Sequence, residues 1–573
     1  MVTRAERRWV LRFGLIVAVM TAVPYVLGYA QQGSAWRYTG YLFGVEDGNS
    51  YTAKMLLGAA GHWLFRTPYT PYPQTGVLAF LPYLLLGKLS APPGQHEQLI
   101  AMFQLFRVLA TVLFGLATYD FLAVFIRTAG LRRLGTALAM LGGGLGWLAV
   151  VGLGGLWHSS PLGQVLPGMD LPLEFYSPET FGFLMVFGLP HLAVARALLL
   201  WGLRDYLLPP QAGAGWLRAA RPGLLWLVMG LFQPLTVVSG WAVLAGHLAL
   251  TGLLRWRQGR RAAQTEEQAT PGVDSFRLYF WRAVRIGLLS APVVAYTLLA
   301  FRLDPFLRGW EQQNRIVSPP VHHYLLAFGL VLPLAAWGVK SLWKGQTATA
   351  AGQGSEAGSV PLEPINLSRE AGLLPLAWAA IFPLLAYAPY NLQRRLPDGI
   401  WVALLTLALV AIERGPKTSW QRWALRGLVG LGFLSTLLFS LAATFGVLQP
   451  APPLYRPAGE VRGFEFLAAQ ADPDALVLAA YDTSNPLPAW APLRTLVGLG
   501  PESLNLEELN RRITCFYSEA CPPGERLALL DEFGVNYVWL GPAEKALGDW
   551  NPGRMAELEQ IYHEGAYQIF RVR

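Results

Sequence analysis

The residues best suited to chemistry begin with an acidic turn, Gly44-Val45-Glu46-Asp47-Gly48-Asn49-Ser50-Tyr51, close behind the first apolar run. Neighbouring carboxylates repel, and repulsion raises the pKa of one of them, which suits proton transfer. A plainer role is also open to Asp47, as the N-cap of a helix expected over 50–60. A second acidic loop carries Asp170, Glu174 and Glu179. Glu179 stands just ahead of an apolar run from Phe181, where a helix dipole favours a carboxylate. His191 follows about three turns into that run, either as a packed, hydrogen-bonded residue or as part of a site. Basic groups complete the set: Arg308, Arg315, His322 and His323 in one polar loop, and Arg394 and Arg395 in a later turn. Guanidinium forks match phosphate oxygens, although arginine also anchors to lipid headgroups. Acidic loops beside an arginine pair point to phosphate-linked group transfer. The chain has neither a P-loop nor a dinucleotide fingerprint, so a nucleotide-fuelled reaction is not expected.

The elements that must position these groups are membrane helices. Of 573 residues, 53% are hydrophobic and 14% charged, against about 25% charged in a soluble domain. Charge is expensive in hydrocarbon, and the 21 tryptophans suit the headgroup boundary. The net charge of +9 comes from short Arg/Lys segments beside apolar runs, the pattern of cytoplasmic loops rather than of a nucleic-acid binder. Arg4, Arg7, Arg8 and Arg12 precede the run 13–30, which places the N-terminus in the cytoplasm. The stretch 77–89 is short for a span and is read as interfacial, since a crossing there would put Arg127, Arg132 and Arg133 outside. Runs at 99–126, 134–156, 181–203, 284–301, 324–343, 373–390, 400–412 and 428–447 then alternate. The run 223–254 must turn as a hairpin near Gln233-Pro234. The count is about eleven spans, with a flexible cytoplasmic linker at 345–368.

Beyond Pro450 the composition changes. Strands are predicted at 475–481, 535–540 and 568–572, and helices at 505–516 and 524–533. The expected organisation is therefore a mainly α, polytopic membrane domain over 1–449, followed by a small α/β extracytoplasmic domain over 450–573. Its two cysteines, Cys515 and Cys521, lack metal-ligand spacing and admit either a disulfide or two thiols.

The stretch Asp47-Gly-Asn-Ser-Tyr51-Thr-Ala, with Gly61-His62-Trp63 and Pro68-Tyr69, resembles the first external loop of the GT-C membrane glycosyltransferases. That superfamily includes protein O-mannosyltransferases, aminoarabinose transferases and the catalytic subunit of oligosaccharyltransferase. The resemblance implies inverting transfer of a sugar from a polyprenyl-phosphate donor to an extracytoplasmic acceptor (glycan, lipid or protein), at the cell membrane. It makes Asp47 the general base and Glu179 or Asp170 the second acidic position. Glu46, Tyr51, His191, Arg315 and His322 are substrate-binding candidates, and Arg394 and Arg395 hold the carrier phosphate. A divalent metal is compatible with such a site, although no Asp-x-Asp motif stands in the membrane part. A lipid-linked substrate transporter and a non-catalytic homologue with a partner-binding external domain are the alternatives. The first would need ionisable groups near the bilayer midplane.

Overall fold

The computed structural model describes residues 2–153, 171–208, 216–265, 275–348, 370–415 and 419–573. Asp170 and most of the linker expected over 345–368 lie outside the described residues. The chain opens with α1 (Arg4–Gln31), β1 (Trp36–Tyr38), α2 (Val45–Ala59), α3 (Leu81–Gly87) and α4 (Gln95–Phe125). There follow α5 (Ala129–Leu141), α6 (Gly146–Leu153), α7 (Gly182–Gly188), α8 (Pro190–Leu207), α9 (Trp216–Phe232), α10 (Pro234–Thr265) and α11 (Ser275–Leu303). Next come α12 (Pro305–Gln313), α13 (Val321–Phe328), α14 (Val331–Ala348), α15 (Leu374–Ala386), α16 (Ile400–Arg414), α17 (Ser419–Gly432) and α18 (Leu434–Val447).

Among the described residues six helices are long and apolar enough to cross a membrane, or seven if α13 and α14, bent by 81°, count as one. These are the helices of a polytopic membrane protein. Several runs expected as single spans are instead broken helices. The run 134–156 is interrupted by Gly142, Gly143 and Gly144; a Cβ on Gly144 would stand 1.8 Å from the Ala327 carbonyl oxygen, so only glycine permits that approach. The run 181–203 breaks at Leu189-Pro190, with proline opening α8 where its missing N–H costs nothing. The expected break at Gln233-Pro234 separates α9 from α10.

The chain forms two compact units, the first of residues 1–21, 107–297 and 316–441, the second of residues 22–106, 298–315 and 442–573. In the first, Arg132 Nη1 donates to Glu6 Oε1 at 2.9 Å, as does the Tyr119 hydroxyl at 2.7 Å. The amides of Arg127 and Thr128 donate to Glu413 at 2.9 and 2.6 Å. The start of α1, the α4–α5 turn and the end of α16 therefore meet at one end of this unit, as three segments on one membrane side must. With α1 and α4 each able to cross once, the chain between them makes no net crossing. Consistently, the stretch 77–89 holds only α3, whose seven residues extend about 10 Å, far short of a bilayer.

In the second unit, β1 pairs with β2 (Tyr455–Pro457), tying the segment after α1 to the chain after α18. The C-terminal part then builds α19 (Ala458–Gln470), β3 (Leu476–Leu478), β4 (Arg494–Thr495), α20 (Leu506–Tyr517), α21 (Pro523–Phe533), β5 (Tyr537–Leu540), β6 (Leu558–Glu564) and β7 (Tyr567–Val572). The sheet order is β4-β3-β5-β7-β6, with β3 parallel to β4 and β5, and β7 antiparallel to β5 and β6. Side chains alternate across it, as a two-residue period demands. Leu476, Leu478, Val538 and Leu540 face Ile513, Phe516 and Leu529 on one side, and Val477, Trp539 and Ile569 face Val461 and Phe464 on the other. The C-terminal part carries a small sheet with helices on both faces, within the compact unit that also holds residues 22–106 and 298–315, and Cys515 and Cys521 form a disulfide.

Candidate functional site

The acidic turn is not a turn. Helix α2 starts at Val45, after Gly44 in the left-handed region (φ 53°), so Glu46 and Asp47 occupy its first turn. Asp47 is therefore not an N-cap; it sits where the helix dipole favours a negative charge. Both carboxylates are exposed at the surface of the second unit. Glu46 is pushed above the usual carboxylate range, chiefly by partial burial, then by the charges of Asp47 and Asp482, while the Tyr481 hydroxyl pulls it back.

Behind this exposed edge the helix is clamped by buried polar contacts. Lys54 and Glu502, both buried, form an ion pair at 2.8 Å. Lys54 also donates to Ser50, and its ammonium lies 4.3 Å from the centre of the Phe80 ring. The Thr67 hydroxyl donates to the other Glu502 oxygen at 2.5 Å. Asn49 donates to Asn485 at 2.8 Å, and Asn485 donates to the Gly498 carbonyl at 2.7 Å. The Tyr481 hydroxyl reaches Glu46 Oε2 at 3.1 Å. The loop after β3 thus holds the helix that carries Asp47. Tyr51, a substrate-binding candidate by sequence, is half-buried and stacks on Tyr83 with ring centres 4.6 Å apart.

A second constellation lies in the first unit. Glu179 is buried, and its Oε1 stands 3.2 Å from Arg395 Nε. The Glu179 carbonyl accepts from the Gly399 amide at 3.0 Å and from the buried Arg196. Arg196 Nε donates to Asp398 at 2.7 Å, and the Thr236 hydroxyl donates to the other Asp398 oxygen at 2.6 Å. Arg394 lies over the Tyr176 ring at 4.8 Å, with its buried Nε lacking a hydrogen-bond partner among the described residues. The turn carrying the arginine pair is fixed to the α12–α13 connection through Ile316, which donates to the Asn391 carbonyl at 2.7 Å and accepts from the Arg394 amide at 3.2 Å. The second acidic loop, the segment before α13 and the arginine turn therefore converge at one end of this unit.

Sequence reasoning named Glu174 only as a member of the second acidic loop, and did not single out Arg196 or Asp398. Glu174 is fully buried, accepts from Ser435 and from the Gly144 amide at 3.1 Å, and rises to about 7. Burial drives that rise, against the Ser435 hydroxyl and the amides of Gly146, Gly144 and Trp147. Arg196 sits inside an apolar helix, and an ionised residue at such a position was the available signal. His191, expected three turns into a helix, is in the first turn of α8 because of the break at Pro190. His322 is half-buried at the start of α13, Arg315 is exposed, and neither contributes a polar contact to the Glu179 cluster. Among the described residues, one trio of ligand-type side chains is close enough to share an ion, Cys515, Cys521 and Glu525, and its two sulfurs are bonded to each other.

No protein-family profile and no curated protein sequence matches the chain. Solved structures do. The apo oligosaccharyltransferase of Archaeoglobus fulgidus superposes with a TM-score of 0.52 at 12% identity, over 93% of this chain and 69% of that one. ArnT from Cupriavidus metallidurans in the apo state gives 0.47 at 14% identity, over 97% of both chains. The same ArnT bound to undecaprenyl phosphate gives 0.43 at 15% identity, again over 97% of both. The chain shares the fold of the archaeal oligosaccharyltransferase.

Proposed function

We propose that the chain is a membrane glycosyltransferase that moves a sugar from a polyprenyl-phosphate carrier to an acceptor on the extracytoplasmic side, with inversion. The observation that carries this reading is an exposed carboxylate, Asp47, on a helix whose opposite contacts are buried, charged and fully partnered at Lys54 and Glu502. A general base must reach its substrate while its support stays rigid. The shared oligosaccharyltransferase fold supports the same reading.

In this proposal Asp47 takes the proton of the acceptor hydroxyl as its oxygen attacks the anomeric carbon. The bond between that carbon and the carrier phosphate breaks, and the electron pair leaves with the phosphate. Arg394 and Arg395 hold the departing phosphate as its charge grows. Glu179, a candidate for the second acidic position, orients Arg395 in this proposal, and their 3.2 Å ion pair supports that role. The membrane part crosses the bilayer about eleven times, with the N-terminus cytoplasmic and residues 450–573 outside.

The test is to give the purified full chain polyprenyl-phosphate hexose and pentose donors with a hydroxyl acceptor, and to follow release of polyprenyl phosphate. Release with inverted configuration in the product is expected. A protein that moves the intact donor across vesicles without cleaving it would be a transporter.

A further inference from the structure

Tyr481 opens a single helical turn, Tyr481–Ser484, directly behind β3. Its ring packs against the core that the sheet shares with α20 and α21. Just ahead of it, the Ala480 amide donates to the buried Glu544 at 2.9 Å, which fixes the start of the turn. The hydroxyl meets two partners. The Gly500 amide donates to its oxygen at 3.1 Å, and its own hydrogen reaches Glu46 Oε2 at 3.1 Å. A phenol has one hydrogen to give, and here it goes to a carboxylate. Burial, and then the charge of Glu46, hold the phenol above its usual range, so it stays a donor at neutral pH.

Gly500 belongs to the turn Gly500–Glu502, whose Glu502 pairs with Lys54. The Gln313 side chain, from the end of α12, donates to the carbonyls of Pro501 and Ser503 at 3.1 and 3.0 Å and steadies that turn. One turn therefore holds α2 at two places, at Lys54 directly and at Glu46 through Tyr481. Glu46 immediately precedes Asp47 in the first turn of α2. Successive helix positions point about 100° apart, so the two carboxylates face different directions while their charges still interact. A negative neighbour makes a carboxylate a stronger base. The groups that act on Glu46 are Asp47 from its own helix, and Asp482 and Tyr481 from the turn behind β3. Partial burial and the two aspartates disfavour its charge, and the Tyr481 hydroxyl favours it.

We infer that Tyr481 is a positioning residue: by donating to Glu46 it keeps a fixed negative charge beside Asp47, the base of the proposed transfer. The inference rests on that transfer reading. In the full-length protein, Tyr481→Phe keeps the ring and removes only the donor, so melting should match the wild type. Turnover from a polyprenyl-phosphate sugar to a hydroxyl acceptor should fall about three- to tenfold, the scale of one hydrogen bond. Binding of polyprenyl phosphate itself should not change. Without its donor Glu46 takes up a proton at higher pH, so the acid limb of turnover should move upward by about half a unit or more. In a Glu46→Gln background, Tyr481→Phe should cause neither a further loss nor a shift, because its effect passes through Glu46. Tyr562→Phe, which removes a hydroxyl that donates to Glu564 on β6, should leave turnover and its pH profile unchanged. Additive losses in the double variant, or an acid limb that stays in place, would overturn the inference and leave the transfer reading standing. Failure of the wild type to transfer sugar would overturn both.

Discussion

Arg395 Nε stands 3.2 Å from Glu179 as an ion pair, and the buried Nε atoms of both Arg394 and Arg395 lack a hydrogen-bond partner among the described residues. Both arginines therefore have donor capacity to spare, with the Glu179 charge beside one of them, which is a workable arrangement for a phosphate. Replacing both arginines by glutamine should weaken binding of the polyprenyl-phosphate donor by about tenfold or more, since each charge-assisted bond contributes about 1.5–3 kcal/mol. Glu179→Gln should give a smaller loss, because it frees Arg395 without removing it. An unchanged donor affinity in the double variant would reduce the pair to a headgroup anchor. Two other carboxyls set a pH dependence. Burial raises Glu174 and Glu544 from 4.5 to about 7. Between those values the folded protein binds more protons than the unfolded chain, so stability is fully present below about 4.5 and is lost as pH rises through 7. The melting temperature should fall across that window, and Glu174→Gln with Glu544→Gln should flatten the fall. A slope unchanged in the double variant would assign it to other groups.

At the scale of elements, α2 depends on one buried ion pair. Lys54→Met leaves the Glu502 carboxylate buried with only the Thr67 hydroxyl, and should cost about 3–5 kcal/mol. Lys54→Met with Glu502→Leu should recover part of that loss, as removing both charges removes the stranded one. Melting curves of the two variants decide it; equal losses would mean that the pair is not coupled. Helix α2 also shows what the sequence could and could not disclose. The acidic stretch was visible as a candidate site, and the strands 475–481 and 535–540 were visible as apolar runs. That the helix begins at Val45 was hidden, because its start is set by a left-handed Gly44 and not by a capping side chain. The breaks at Gly142–Gly144 and Leu189-Pro190 were hidden for a related reason. Uniform hydrophobicity gives no period from which a break can be read, and the cause at Gly144 is a carbonyl from a distant helix. Glu502, Asn485 and Asp398 were illegible too: each acquires its role from a partner more than 160 residues away.

At the scale of the molecule, charge bias and packing agree. Segments expected on one side, carrying Glu6, Arg132 and Glu413, share hydrogen bonds, and so do the loops of Glu179, Ile316 and Arg394 expected on the other. The absolute orientation proposed above rests on positive charge resisting translocation. A membrane-impermeant thiol reagent applied to intact cells should label Cys515 and Cys521 only after reduction of their disulfide; labelling that requires permeabilised cells would invert the map. The central claim, that Asp47 is the base of a glycosyl transfer, is tested most directly by the turnover of Asp47→Asn. Asparagine keeps the shape at the third residue of α2 and removes the basic charge, so melting should shift by no more than about 1 kcal/mol in stability. Sugar transfer from the polyprenyl-phosphate donor should fall by roughly 100-fold or more, the scale of a positioned general base, while Glu46→Gln should lose far less. A well-folded Asp47→Asn protein that transfers sugar at the normal rate would contradict the account.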